Sequence, residues 1–522
     1  MNVRPWKNEQ VYQAFDDLMR LSEGAIAHKT YRYDQLADTA IRERIIQRVV
    51  QMTFYPYCFL CTQRANEGIY PFPSPDEMLH LAGIVINGKT GEINITPKLF
   101  IQLFLDFLAE WIKTLLSVIA GYISIAAKES KPATLVFGLG IADVTCGGSE
   151  DAFKEFCKKG PVQPLSDSDR LIMQETGPQK TGSDFISYTK NPVHYLLRKT
   201  KFGFINRNKL MAVCIVNPFR FLASITKFPL MALLSKDFIQ YPAVRMLDKM
   251  GCIRSVVITT SNFFQQPIWM RGPDNRNFRV HEVHYSQNAN SFVYKDNPVF
   301  GHFPPFRHVR VDEHWVWTNG HKDSLVESGH KGPVHVVGPI VWYLPAKSNT
   351  RSEDMFRVAV FDIAPVYRSV SDKMGIIHYY YTADKLIAFL ESIITVCEEL
   401  EPRFNRNIQV LLKSKRAFTK GLHDQAYIDY VAQLKKTHKQ VEVIDYATNI
   451  FSLLNDCELS VSIPYTSVPY VSAWLKKPAV YFDPGKELLF TNEQSPFIQT
   501  ASGREELKQV IENILSAGYQ PS

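Results

Sequence analysis

Four short stretches in the last third of the chain concentrate side chains suited to holding an anion. LLKSKR (411–416) places Lys413, Lys415 and Arg416 at the end of an apolar run. IPYTSVPYVSAW (463–474) breaks a second run with Tyr465, Thr466 and Ser467, then resumes with helical spacing. VAVFDIAP (358–365) ends on Asp362 and Pro365, and PAVYFDPG (478–485) on Asp483. A helix start carries unpaired N–H groups and a partial positive charge, so a phosphate sits there readily. Hydroxyls from Thr466 or Ser467 would add donors, and the Lys/Arg trio would add cations. Taken alone, Thr466 and Ser467 are equally well explained as N-caps. The cationic segment one strand-helix unit away favours a diphosphate or nucleotide-phosphate cradle. Asp483 is suited to ribose or sugar hydroxyls, and equally to the turn that Asp-Pro-Gly forms.

The elements that must position these residues alternate regularly. Beyond a polar linker at 348–354, FRVAVF, NIQVLL, VEVIDYA, ELSVSIP and PAVYFD read as strands. Between and after them, ADKLIAFLESIITVCEELE, DQAYIDYVAQLKKTHK, NIFSLLNDC, VPYVSAWLKK and REELKQVIENILSAG read as helices. Such alternation predicts a parallel, doubly wound sheet, whose ligands bind outside the carboxyl ends of the strands. Earlier strand candidates are TLVFGLG (134–140), SVVITT (255–260), RVHEVHYS (279–286) and VHVVGPIVWY (334–343). The fold class expected is therefore α/β, with two Rossmann-like domains facing a cleft. A mostly helical extension over 1–130 precedes an N-terminal domain over 131–347 and a C-terminal domain over 348–522.

IPYTSVPYVSAWLKKPAVYFDP resembles the signature of the bacterial polysaccharide-biosynthesis PFTS-motif family, with Tyr465 in place of Phe. VAVFDIAP, LLKSKR, DEHWVWT (312–318) and VVGPIVW (336–342) follow the same likeness, which covers roughly residues 250–490. The resemblance implies a glycosyltransferase of the two-domain GT-B kind, acting in surface-polysaccharide assembly. It implies a nucleotide-sugar donor, with a looser likeness to transferases using CMP-activated ulosonic acids. It also implies that the donor lies on the C-terminal half and a glycan or lipid-linked glycan acceptor on the N-terminal half. A base must then reach the acceptor hydroxyl. The candidates are Asp143, Glu282, His284, Asp312, Glu313 and His314. Glu282 and His284 alternate along one strand and so share a face; a histidine in such a strand is also commonly a structural one. In TTSNFFQQPIW (259–269), Gln265, Gln266 and Trp269 are candidates for binding acceptor sugar, because flat aromatics stack on pyranose faces while amides bond hydroxyls.

Composition sets the remaining bounds. With 45% apolar and 21% charged residues in 522, the chain is globular and long enough for several domains. The net charge of +7 is uneven: residues 186–250 hold eleven Lys or Arg against two Asp. That segment and the apolar stretch 99–127 read either as buried helices or as a basic amphipathic surface resting on anionic lipid. The basic residues alternate with long aliphatic runs instead of lining a polar groove, so no nucleic-acid partner is expected. Eight scattered Cys and a charged N-terminal stretch, MNVRPWKNEQVYQAF, point to a reducing, cytoplasmic setting. Peripheral attachment at the inner face of the cytoplasmic membrane would fit the basic surface. A lone CxxC at Cys58 and Cys61 lacks further ligands in sequence, no DxD pair follows a strand, and no P-loop or paired GxGxxG occurs. No metal and no cofactor is expected, leaving-group charge being met by the cations and the helix start. The competing readings are a polyol-phosphate transferase or nucleotide-sugar epimerase on a similar scaffold, and a non-catalytic membrane-associated scaffold.

Overall fold

The computed structural model describes residues 17–18, 20–24, 26, 31, 38–67, 74–86, 93–123, 131–138, 154, 157–158, 160–174, 185–200, 202–259, 266–271, 276–287, 293–295, 309–327, 329–330, 332–340, 355–367, 370, 380–490 and 495–516. The chain opens with helices α1 (Asp38–Glu67) and α2 (Pro75–Leu81), an antiparallel hairpin β1 (Ile84–Ile86) and β2 (Ile93–Ile95), and the long helix α3 (Pro97–Ile123). Strands β3 (Ala133–Phe137), β4 (Leu171–Gln174) and β5 (Ile186–Thr189) follow, then helices α4 (Pro192–Lys199), α5 (Phe204–Lys227) and α6 (Ser235–Lys249). Next come β6 (Ile253–Thr259), β7 (Arg279–Val283), β8 (Glu313–Val316), α7 (Asn319–Glu327) and β9 (Val334–Val336). All neighbours in this seven-stranded sheet are parallel, in the order β5-β4-β3-β6-β7-β8-β9.

The second sheet comprises β10 (Met355–Phe361), β11 (Asn407–Lys413), β12 (Val441–Ile444), β13 (Leu459–Ser462), β14 (Ala479–Asp483) and β15 (Ile498–Ser502). Helices α8 (Ala383–Phe404), α9 (Gln425–Thr437), α10 (Ile450–Asn455), α11 (Val468–Trp474) and α12 (Arg504–Ser516) follow β10, β11, β12, β13 and β15 in turn. Its order is β12-β11-β10-β13-β14-β15, again wholly parallel. Renumbered from its own first strand, each sheet reads 3-2-1-4-5-6, the Rossmann order, with one extra strand in the first. The chain reverses direction across the sheet between β3 and β6 and again between β10 and β13. Those two switch points are where such a fold leaves a crevice.

The local causes are visible in the sequence. Strands buried on both faces are continuous apolar runs: every residue of β13 and β14 is buried. Asn191, Asp424 and Asn449 cap α4, α9 and α10 by accepting the N–H of His194, Ala426 and Ser452 at 3.1, 3.0 and 3.2 Å. Each cap stabilises by about 1 kcal/mol. Helix α8 ends at Asn405, left-handed at φ 46°, a conformation Asn tolerates. Lys477 is buried and donates to the carbonyls of Leu454, Asn455 and Cys457 at 2.7, 2.6 and 2.7 Å. Its charge thus closes the C-terminal end of α10, where the helix dipole is negative.

Helices α1 and α3 do not stand apart from the first sheet. Ile41, Ile45, Leu103 and Phe107 share one apolar core with Leu135, Val256 and Ile258 of β3 and β6. Arg44 donates to Asp237 at 2.7 Å, and buried Arg271 reaches Gln47 at 2.8 Å, fastening α1 to the domain. A separate apolar cluster spans both domains, joining Val283, Trp315, Trp317 and Ile340 to Phe361, Tyr470, Val471 and Tyr481.

Among the described residues, VHVVGPIVWY forms a strand over 334–336 and not over 337–340, and DEHWVWT supplies β8. Strands β4, β5 and β15 had no counterpart in the sequence reading. The Cys58 and Cys61 side chains lie outside the described residues, as do Asp143 and Gln265.

Candidate active site

The second sheet's switch point is occupied by the residues that follow β13. Pro464 ends the strand and Tyr465 turns the chain at φ 62°, a left-handed conformation rare for a bulky residue. Such strain persists where surrounding contacts hold it. Here Tyr381 donates its hydroxyl to the Pro464 carbonyl at 2.8 Å, and Tyr481 donates to the Thr466 carbonyl. The Thr466 hydroxyl donates to the Ile463 carbonyl at 3.2 Å. Ser467 occupies the N-cap position of α11 but makes no cap bond. Its oxygen instead accepts the N–H of Gln287, from the N-terminal domain, at 3.0 Å.

That contact continues across the seam. Gln287 Nε2 donates to Thr318 Oγ1 at 3.0 Å, and the His321 N–H donates to the same oxygen at 3.2 Å. Beside it lies an interdomain cavity of about 400 Å³, lined by Trp317, Thr318, Gly338, Tyr470, Trp474 and Ser495 among others. Trp474 is 60% exposed although it is an aromatic at a domain seam. Its ring lies against Gly338, where an added Cβ would come within 2.4 Å of it; Gly338 also has φ +82°. Only glycine fits there.

The cationic segment is placed differently from expectation. Strand β10 lies between β11 and β13, with Phe361 in register with both Lys413 and Ser462. Two strand spacings separate the segments, about 10 Å. Lys413 is buried and donates to the Tyr446 carbonyl at 2.7 Å, on the β12 side and away from the switch point. Lys415 and Arg416 are exposed beyond the tip of β11. Though much of Lys415 meets solvent, desolvation about its ammonium and then the charge of Arg416 lower its pKa, with Asp362 opposing.

Both strand-end aspartates are committed internally. Asp362 is buried and accepts from Ser414 Oγ at 3.1 Å, the Lys415 N–H at 3.2 Å and the Tyr427 hydroxyl. Burial raises its pKa even against those donors. Asp483 accepts from Tyr380 at 2.7 Å and from the N–H groups of Gly485 and Leu488 at 3.1 and 2.7 Å. These carboxylates shape the loops that carry Lys415 and follow β14; neither is turned toward a ligand.

In the N-terminal domain the expected acceptor and base residues also move. Trp269 is buried against Phe137 and Phe278 with its indole N–H on Gln240, so it is core. Gln266 is fully buried and exchanges hydrogen bonds with the backbone of Arg310. Asp312 pairs with Arg276 at 2.7 and 3.0 Å and precedes β8, at the amino end of the strand and away from the ligand-binding edge. Glu313 pairs with exposed Arg279 at 2.6 Å. Glu282, His284 and His314 meet one another, but all three are buried below 2% exposure. His321 and His330 stand beside them, ring to ring at 4.4 and 4.6 Å. Burial, then neighbouring imidazoles, hold His284 well below the usual range and His321 and His330 at about 3. None of this cluster reaches a substrate in the cavity.

Trp474 and Trp317 were not singled out as ligand contacts by sequence. Trp474 sits in the helix that follows the Tyr-Thr-Ser break, and that position was the available signal.

The site thus belongs to a two-domain, doubly wound protein with its crevice residues drawn from both halves. The chain belongs to the polysaccharide biosynthesis PFTS motif protein family, whose model matches residues 220–511. No curated protein matches it in sequence. Among solved structures, the wall teichoic acid polymerase TagF is similar at TM-score 0.41 and 11% identity, covering 80% of this chain and 90% of that one. OtsA in its apo form has TM-score 0.36 and 11% identity, covering 74% and 92%. S. aureus TarM, in complex with fondaparinux, alpha-GlcNAc-glycerol and UDP, has TM-score 0.30 and 11% identity. That match covers 50% of this chain and 48% of TarM, so the chain spans about half of TarM's length. At these scores the likeness is too loose to carry substrate or mechanism.

Proposed function

We propose that the protein is a glycosyltransferase of polysaccharide biosynthesis, moving a sugar from a nucleotide donor to a glycan acceptor across the interdomain seam. The observation that carries this reading is the meeting of the Tyr465-Thr466-Ser467 turn, at one switch point, with Gln287 and an aromatic cavity contributed by both domains. Lys415 and Arg416 supply the exposed positive charge for the donor phosphates, so leaving-group charge needs no metal at that point. Trp474 and Trp317 offer apolar faces to a pyranose ring. Asp143, which follows β3 in sequence, is the base to test.

The acceptor is reached from a lipid surface. Helices α3 and α5 pack together, with Trp111 donating to the Cys214 carbonyl at 3.0 Å. Their outer faces expose Ile101, Leu105, Leu116, Ile215, Val216 and Phe219. Lys98, Lys113, Lys209 and Arg220 are exposed on the same helices. By length and composition α5 could cross a membrane. Its Leu210, Cys214, Phe221 and Ile225 are buried in the domain core, however, which favours lying on the surface over spanning it. An inner-leaflet location with a lipid-linked acceptor follows from this reading.

A mass-spectrometric assay with CMP-, CDP-, UDP- and GDP-sugars, run with and without glycan acceptor, tests the chemistry. CMP-ulosonic acids are the first donors to try. Acceptor-dependent donor consumption with a phosphorus-free product is expected. Consumption without acceptor would mean an epimerase, and phosphorus on the product a polyol-phosphate transferase. Co-flotation with anionic but not neutral vesicles, weakened by salt, is expected for the α3–α5 face.

A further inference from the structure

The buried cluster in the N-terminal domain has no part in that chemistry and is not accounted for by packing. Glu282 and His284 come from β7 and the residue following it, and His314 from β8, in register with Glu282. Three atoms converge: Glu282 Oε2, His284 Nε2 and His314 Nδ1. They are separated by 3.2 Å from Glu282 to His314, 3.4 Å between the imidazoles and 3.8 Å from Glu282 to His284. Neither oxygen of Glu282 has a hydrogen-bond partner, nor has His284 Nδ1. Glu282 is 0% exposed.

A carboxylate withdrawn from water with no donor costs several kcal/mol and is not kept in that state unless something compensates it. A hydrogen bond between the two imidazoles satisfies one edge of the triangle, and the Glu282 carboxylate then has His314 Nδ1 near it at 3.2 Å but no hydrogen bond. A shared cation answers all three edges. Zinc-like ions hold nitrogen and oxygen ligands at about 2.0–2.1 Å, which for tetrahedral angles sets neighbouring ligands about 3.3–3.4 Å apart. The observed triangle brackets that spacing.

We propose that Glu282, His284 and His314 bind one divalent transition-metal ion of the zinc class, as a structural clamp beneath the interdomain seam. Neutral imidazole and ionised carboxylate are the ligand forms such an ion takes. His321 Nδ1 and His330 Nε2 are buried, without hydrogen-bond partners and next to two of the ligands, so either ring or a water can complete the shell. Complete burial distinguishes this from a site that keeps a position open to substrate. Its connection to the cavity is short. The His284 carbonyl accepts the Trp317 indole N–H at 2.5 Å, and Trp317 lines the cavity. The metal fixes β7 against β8 and so sets where Trp317 stands. The site stands whether or not the transferase reading holds.

The test uses the purified full-length chain, stripped with chelator and dialysed against stoichiometric Zn²⁺ or Co²⁺. Elemental analysis should find one ion per chain, and Co²⁺ should give the visible absorption of tetrahedral coordination. Glu282→Gln and His314→Ala should weaken binding at least tenfold, while the double variant Cys58→Ser/Cys61→Ser keeps the ion and the spectrum. If the ligand variants fail to fold, the wild-type binding and the cysteine variant decide the matter. A wild-type chain that takes up neither ion, an ion lost with the cysteines, or unchanged affinity in folded Glu282→Gln would overturn the proposal.

Discussion

The two sheets share a strand order and differ in what fills the ends of their strands. After β13 and β14 the C-terminal domain places hydroxyls and aspartates whose bonds are spent on turns, around Tyr465 and Asp483. At the end of β7 and in β8, the N-terminal domain instead buries a carboxylate among imidazoles. Its helices α3 and α5 also leave one apolar face exposed, whereas the large exposed hydrophobics of the described C-terminal domain are few, Trp474 foremost. One topology therefore serves two tasks. In one half the loops hold the backbone in a strained turn at a crevice. In the other the sheet supports a buried polar cluster, and helices α3 and α5 leave an apolar face exposed. Strand order fixes where a site can be, and the residues after each strand decide what it does.

Substitutions in each half separate the two roles. The largest effect is expected on stability in the C-terminal domain, from Lys477→Met. It removes one charged donor from three carbonyls, that of Leu454 keeping the Cys457 N–H at 3.3 Å, and at about 1 kcal/mol or more for each lost bond the denaturant midpoint should fall by the equivalent of about 3 kcal/mol or more. Next, Asp143→Asn should lower turnover at least about 100-fold with donor affinity unchanged, since a general base contributes roughly that much. Retained turnover would remove Asp143 as the base.

Arg416→Ala should weaken donor binding about tenfold, the loss of one charge-assisted phosphate contact. Lys413→Ala should instead lower the melting temperature, because its ammonium holds the Tyr446 carbonyl. Equal effects on donor binding from both would restore the three-cation cradle. Trp474→Ala should raise KM about fivefold at little cost in stability, matching about 1 kcal/mol for an aromatic contact.

The smallest effect concerns acid. Burial pushes the Glu110 carboxyl up, but hydrogen bonds from His194 and Gln240 outweigh it and hold the pKa below the ordinary value. A depressed carboxylate contributes stability above its unfolded pKa and loses it as pH falls through the folded one. Glu110→Gln should therefore be less stable than wild type at neutral pH, with the gap narrowing on acidification. A constant gap in urea melts from pH 7 to 3 would show that the charge plays no part.

Legibility followed strand length and composition. Strands β10, β11, β13 and β14 are runs such as VAVF and AVYF, and both faces of such strands must be covered, so their pattern alone marks a parallel sheet. The missed strands are short and carry polar residues: β5 is ISYT and β15 is IQTAS, each at a sheet edge, while β8 is EHWV. An edge strand pairs on one side only and need not be a continuous apolar run, so local sequence does not separate it from a loop. The Tyr465-Thr466-Ser467 break was legible as a place in the fold. Its partner was not, because Gln287 lies 180 residues away.

Residue order alone carries the alternation of strand and helix in the second half, the family motifs, and the turn at 465–467, because each depends on neighbours within a few residues. Tertiary structure alone decided that Lys413 faces away from the crevice, that Trp269 is core while Trp474 is exposed, and that Glu282 meets two histidines. Those outcomes depend on which strands lie side by side and which helix faces are covered. Burial and pairing are properties of the packed chain, and residue type states only what a side chain is able to do once it is placed.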